Sequence, residues 1–145
     1  MNIKQAEGVA AVATATGGVH VVRVEGEYSL AARTSTSKGA HLFLSLHHDS
    51  IQQSWIDDGK RGDYSGYSVF VSRKNPMFPQ SLWCAQNVGW SLGKIGEHPS
   101  LYHATPEKGE NRRLLDESAG VHLYNDLVVL KTAQAPAILV EAGVI

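Results

Sequence analysis

The chain has 145 residues, 43% of them hydrophobic and 19% charged, so it has the size of one domain and enough apolar side chains to bury a core. Lys and Arg number 13 against 14 Asp and Glu, a formal charge of −1, which argues against nucleic acid or an anionic membrane as the main partner. No apolar run reaches the roughly 20 residues that a membrane-crossing helix needs, and the single cysteine, Cys84, makes neither an internal disulfide nor a Cys-rich zinc site.

Lys4 to Ala15 carries Ala6, Val9, Ala10 and Ala13 at helical spacing, and Gly17-Gly18 ends that helix. Val19 to Val24 is short and β-branched, which predicts a strand. Ser29 to Ser37 reads as helix, and His41 to Leu46 as a buried strand that ends in the polar His47-His48-Asp49-Ser50. A Gly/Asp-rich loop over 51–66 leads to a strand over Tyr67 to Ser72. The longest helix follows over Phe78 to Leu92, with Leu82, Ala85, Val88 and Leu92 on one face. Glu97 to Asp126 is a long, polar, irregular stretch, a length usually reserved for functional loops or short helices. Leu127 to Leu130 and Ala137 to Val140 read as the last two strands. The order predicts an α/β fold in which helices cover a mostly parallel sheet. Because the chain opens on a helix, the strand expected before that helix is missing.

In open α/β sheets the chemistry gathers at the carboxyl ends of strands. Two strands end in capable residues, one in His47-His48-Asp49 and the other in Glu141. A histidine and a glutamate at neighbouring strand ends match a metal ligand and a general base. On residue type alone, ordinary polar residues and an ion-pair or surface carboxylate are the commoner reading of them.

Leu42-Phe43-Leu44-Ser45-Leu46-His47-His48-Asp49-Ser50 resembles the "lfiSiHaD" motif of the zinc-dependent N-acetylmuramoyl-L-alanine amidases. Ala137-Ile138-Leu139-Val140-Glu141-Ala142-Gly143-Val144-Ile145 resembles that family's "vLvE-x-GFi". Val19 with Val22-Arg23 is similar to its "V-x-x-T-R", and Leu30 with Arg33 to its "L-x-x-R", in the same order. The resemblance implies a zinc enzyme that cleaves the amide between N-acetylmuramic acid and the L-alanine of the peptidoglycan stem peptide. His47 takes the place of a zinc-ligating histidine, and Glu141 that of the catalytic glutamate, which accepts a proton from water and passes it to the leaving amine. The family's "D-P-G-H-G-G" segment and its glutamate ligand have no counterpart here. Residues 1–145 are therefore expected to form one partial catalytic domain with its first strand missing, and either the functional protein is longer, or the chain is an inactive remnant, or other residues substitute. Candidate substitutes for the absent ligands are His48, His41, Asp49 and Glu27.

The expected cofactor is zinc and the expected partner peptidoglycan or its muropeptides, with a regulatory protein also compatible and no insertion into a membrane. The parent protein is expected in the periplasm or cell wall, although Met1 to Lys4 lacks the apolar segment of an export signal. The alternative function is a catalytically inactive amidase-like domain that binds wall fragments or a protein. His103, like His98 and His122, is expected mainly in solvent, Trp83 and Trp90 in helix packing, and Cys84 as a small buried hydrophobe. Tyr64 and Tyr67 are expected in ordinary packing. Asn111-Arg112-Arg113 reads as a solvated charge run, or as a grip on stem-peptide carboxylates.

Overall fold

The computed structural model describes residues 2–24, 26–50, 53–106 and 110–144. The strands are β1 (Phe43–Asp49), β2 (Ser68–Val71), β3 (Leu114–Asp116), β4 (Val121–Leu123) and β5 (Ala137–Val144), and they form one sheet in the order β1-β5-β2-β4-β3. The helices are α1 (Asn2–Thr16), α2 (Leu30–Ser35), α3 (Gln53–Asp57), α4 (Phe78–Lys94) and α5 (Val128–Thr132), with 3-10 turns at Lys60–Tyr64 and Tyr102–Ala104. None of the described helices is long and apolar enough to cross a membrane.

The α/β class stands, but the sheet is evenly mixed. β1–β5 and β2–β4 are parallel, while β5–β2 and β3–β4 are antiparallel. β5 is the most apolar strand, and it sits in the interior of the sheet because both of its faces are covered. On one face Val69, Val71, Val121, Ile138 and Val140 pack against Ala85 of α4, with Leu46, Leu82 and Val88 at the margin. On the other face Phe70, Ala137 and Leu139 pack against Val129 and Leu130 of α5, with Phe43 beside them. The period-2 alternation of a strand thus assigns Phe43, Ser45 and His47, together with Ala137, Leu139 and Glu141, to the α5 face.

Polar side chains fix the approach to β5. The Asn75 amide donates to the carbonyls of Leu130 at 2.9 Å and Ala135 at 3.1 Å, and Ser81 Oγ accepts from the Ala137 N–H at 2.9 Å. Just past α2, Ser37 Oγ accepts from the Gln134 N–H at 2.8 Å. The α2 helix is itself capped by Ser29, whose Oγ accepts from the Ala32 N–H. Arg33 holds the preceding turn by donating to the carbonyls of Tyr28 and Gly26.

Four local expectations change. Val19–Val24 is coil outside the sheet, with Val19 and Val22 exposed, since no described strand lies alongside to complete a ladder. Leu127–Leu130 enters helix α5, because a four-residue apolar run carries too little periodicity to separate helix from buried strand. The stretch 97–126 contains the β3–β4 hairpin, whose strands have three residues each. Trp83 and Trp90 are 66% and 43% exposed. The buried line of α4 is Ser81, Ala85 and Gly89, which brings the helix too close to the sheet to admit an indole. Cys84 is half-buried beside that line, and burial pushes its thiol pKa up. Tyr64 and Tyr67 are core residues as expected, and the Tyr67 hydroxyl donates to the Gly89 carbonyl at 2.8 Å.

A Cβ at Gly89 would lie 2.0 Å from the Ala119 carbonyl oxygen. In an exposed helix Gly→Ala stabilises by about 1 kcal/mol. Here the sign reverses, and Gly89→Ala is expected to lower the unfolding free energy by about 1–3 kcal/mol, read as an earlier urea midpoint at unchanged slope. A later midpoint would mean that α4 can lift away from Ala119 at little cost.

Candidate functional site

Parallel pairing of β1 with β5 sets His47 opposite Glu141, at the carboxyl ends of both strands and on one face of the sheet. The ladder shifts register between His47 and Asp49. The His47 ring Nε2 lies 3.1 Å from Ser45 Oγ. Burial lowers its pKa, the Glu141 charge partly offsets this, and Arg33 lowers it further. The imidazole is therefore neutral near pH 7, the form that ligates a metal.

A second histidine, His103, clusters with Asp49 and Glu141 in a group that does not include His47. His103, on the turn Tyr102–Ala104, is 3% exposed, correcting the solvent position expected for it. Its ring stacks on Tyr102 at 3.9 Å between centroids and meets the edge of Phe70 at 4.9 Å. Nδ1 donates to Glu110 Oε2, and Nε2 donates to Glu141 Oε2 at 3.0 Å, with Asp49 Oδ2 3.5 Å away. Burial opposes charge on this ring, but its hydrogen bonds to Glu141 and Glu110 and their charges outweigh that and raise its pKa. His103 is thus a buried imidazole among three carboxylates, which favour its protonation.

Each carboxylate has its own environment. Burial pushes Asp49 up and the Glu141 charge adds to this, while His103 counters it. Asp49 Oδ1 accepts from the Ser50 N–H at 2.8 Å, whereas the buried Oδ2 has no hydrogen-bond partner among the described residues. Glu110 is held below its ordinary value: burial works against ionisation there, but His103 and Arg112 outweigh it. Arg112 Nε donates to Glu110 at 3.0 Å, and its guanidinium lies 3.2 Å from the centroid of the Tyr124 ring. Arg112 is therefore committed within the fold rather than forming a solvated run, while Arg113 is exposed. Asn111, at a positive φ of 44°, turns the chain so that Glu110 and Arg112 meet.

His122 on β4 is also buried rather than solvated, at 0% exposure. Burial and the nearby charge of His103 lower its pKa to about 4, so it is neutral. Its Nδ1 donates to the Gly120 carbonyl at 3.1 Å.

The other proposed substitutes do not join the cluster. His41 lies before β1, on an apolar groove of about 660 Å³ with Met77, Pro79, Trp83 and Pro136, at the opposite end of the strands from Glu141. That groove carries no group of titratable side chains comparable to Asp49, His103 and Glu141. Glu27 is in an exposed turn, and His48, the residue after His47, belongs to no metal-competent group among the described residues. The side chain of Trp55 lies outside what the structure describes. His98, at the surface, approaches Ser65 Oγ at 3.1 Å.

One group of His and carboxylate atoms that could hold a metal ion is found among the described residues. Asp49, His103 and Glu141 offer one nitrogen and two oxygens within 4.8 Å of one another. Mixed imidazole and carboxylate donors suit zinc. Sequence reasoning found Glu141 and carried Asp49 as a substitute ligand, but it missed His103 and Glu110. The one signal for them was the length of the stretch 97–126, since a plain connector is shorter.

This fold, with His47 and Glu141 at adjoining strand ends, is the arrangement expected of a hydrolase built on an open α/β sheet. The chain belongs to the N-acetylmuramoyl-L-alanine amidase family, which it matches over residues 3–145. The fold is shared with the N-acetylmuramyl-L-alanine amidase of Mycobacterium smegmatis (TM-score 0.68, 22% identity), with 95% of this chain and 58% of that one aligned. A second likeness is the N-acetylmuramoyl-L-alanine amidase of Clostridium difficile (TM-score 0.64, 20% identity), with 96% of this chain and 62% of that one aligned. A third is the catalytic domain of the Bacillus (Paenibacillus) polymyxa amidase (TM-score 0.57, 20% identity), with 97% and 64% aligned. The chain thus spans about three fifths of the length of each of these structures. No curated protein matches it.

The two buried histidines shape stability in opposite directions. His122, with a folded pKa of about 4 against an ordinary 6.5, contributes fully above pH 6.5, and its contribution declines as pH falls toward 4. The full loss is about 3 kcal/mol. His103, with a raised pKa, contributes fully below pH 6.5 and loses that contribution as pH rises through its folded value. In His122→Phe the acid-side decline between pH 6.5 and 4 is expected to shrink by most of that 3 kcal/mol, measured by urea unfolding at each pH. An unchanged decline would place the acid sensitivity elsewhere.

Proposed function

We propose that the chain carries the strand-end chemistry of a zinc-dependent N-acetylmuramoyl-L-alanine amidase. Its substrate is peptidoglycan outside the cytoplasm, in the periplasm or cell wall, and the bond it breaks joins N-acetylmuramic acid to L-alanine. Family membership over residues 3–145 supports the class of reaction. The observation that carries the reading is the His47–Glu141 pairing across parallel strands, which sets a neutral imidazole and a carboxylate side by side at the sheet's carboxyl edge.

The donor chemistry fits the metal. His47 and Asp49 stand at the end of β1, and Asp49 Oδ2 is a buried oxygen left over for a cation. These two residues would hold zinc, which when bound supplies Lewis-acid activation of water and of the scissile carbonyl. The remaining work belongs to the protein. Glu141, with Oε2 engaged by His103, presents Oε1 to accept a proton from the attacking water and return it to the leaving amine. The walls of Phe70, Tyr102 and His103 keep bulk water from the inner side of that carboxylate.

Purified muropeptides incubated with the chain and zinc should yield free stem peptides beginning with L-alanine, detected by mass spectrometry. Glu141→Gln should reduce that release by roughly 10²–10⁴-fold while leaving zinc binding in place, and near-full turnover in this variant would remove Glu141 from the role. By calorimetry, His47→Ala should weaken zinc binding by more than the roughly 10- to 100-fold typical of losing an outer-sphere partner, and His48→Ala by much less. Muropeptide binding without cleavage would favour the second reading, a catalytically silent domain that holds wall fragments.

A further inference from the structure

We infer that His103, itself clamped by Glu110, is a positioning residue that fixes the Glu141 carboxylate in the orientation its proton transfer requires. The inference rests on the reading of Glu141 given above and extends it to two residues that the sequence motifs do not contain.

The geometry is that of a relay with one adjustable end. A glutamate on a strand has three side-chain torsions, and left alone it would sample many orientations. Glu141 is held through Oε2 by His103 Nε2 at 3.0 Å. The ring that holds it is confined, because it stacks on Tyr102 and meets Phe70 edge-on, centroids 3.9 Å and 4.9 Å away. Its other nitrogen is bound to Glu110, so both ring nitrogens are engaged by carboxylates. Glu110 is in turn oriented by Arg112, which is fixed over Tyr124. The chain Arg112–Glu110–His103–Glu141 therefore runs from the protein's flank to the sheet's carboxyl edge through charge-assisted hydrogen bonds.

Asp49, Glu110 and Glu141 surround one imidazole, and its Nε2 engages Glu141 at 3.0 Å, closer than Asp49 at 3.5 Å. The competing role for His103 is metal ligand, because its Nε2 lies in the Asp49–His103–Glu141 group. The burial of the ring and the hydrogen bonds at both of its nitrogens, Nδ1 with Glu110 and Nε2 with Glu141, favour positioning.

Two measurements on the full chain separate these roles. In nuclear magnetic resonance spectra of the unliganded wild type, both His103 ring N–H protons should be visible and protected from exchange. Glu141→Ala should remove the Nε2 proton signal, and Glu110→Gln should shift the Nδ1 signal. Ring protons that exchange freely, or that ignore both substitutions, would overturn the inference whether or not the chain cleaves muropeptides. In kinetics, His103→Gln should lower kcat by about 10- to 100-fold with KM changed less than about threefold. Glu110→Gln, the milder change should His103→Gln fail to fold, should show the same split at smaller size. Zinc affinity should fall by no more than the roughly 10- to 100-fold typical of an outer-sphere partner in either variant. Zinc binding abolished by His103→Gln as in His47→Ala would make His103 a ligand and overturn positioning, as would an unchanged kcat. A wild-type chain that binds muropeptides without cleaving them counts against the proposed amidase reaction alone, and the ring-proton result then decides the placement of His103.

Discussion

The parallel ladder between β1 and β5 is the constraint on which the rest of the site depends. It is the sheet's longest pairing, and its register alone sets His47 against Glu141. A shift of one residue would send Glu141 into the face that packs on α4, among Val69, Val71 and Ile138, where an ionised carboxylate is untenable. Hydrophobic alternation therefore enforces the placement of Glu141 opposite His47. Leu139 and Val140 must each find its own apolar layer, and Glu141 is carried to the polar edge as a result. The Asn75 and Ser81 hydrogen bonds at the start of β5 fix the same register from the other end.

Around that ladder the protein manages buried charge by separating two histidines. His103 and His122 lie 5.8 Å apart between ring centroids, and their surroundings raise the pKa of the first and lower that of the second. Carboxylates gather on the His103 side, while His122 is enclosed against Phe70, and the charge on the first suppresses protonation of the second. The arrangement concentrates the polar network next to Glu141 and keeps the interior beneath it apolar. A polar network of this kind is tolerable only where its donors and acceptors are matched. Among the described residues, Asp49 Oδ2 and His122 Nε2 are the buried atoms of this network without a hydrogen-bond partner.

Much of this was legible in the sequence. The helices α1, α2 and α4, the strands β1, β2 and β5, and the residues His47 and Glu141 follow from apolar periodicity and from polar residues at strand ends. What the sequence concealed has physical causes. β3 and β4 have three residues each, too few for alternation to register. Val19 to Val24 has strand-forming residues but no neighbour to pair with. The indoles of Trp83 and Trp90 suggest a core, yet the helix reaches the sheet on serine, alanine and glycine and turns them outward. His103 and Glu110 meet Glu141 only through tertiary folding of a long irregular segment, and local spacing carries no trace of such contacts. The balance of strand directions was equally hidden, because it depends on where β5 inserts.

That insertion also bears on how the molecule comes to exist. β5 is the last strand in chain order, yet it lies between β1 and β2. β1 and β2 therefore cannot close on each other early, and Phe43 must wait for Ala137, far along the chain, before its ladder can form. Such distant pairing slows folding, because the loop must close before the contact rewards it. During synthesis the His47 strand would emerge long before Glu141, and the apolar edge of β1 would need protection in the interval. A folding intermediate could hold α4 against β2 and the β3–β4 hairpin and still lack any assembled chemistry. The site would then appear in a single late event, together with the completed sheet.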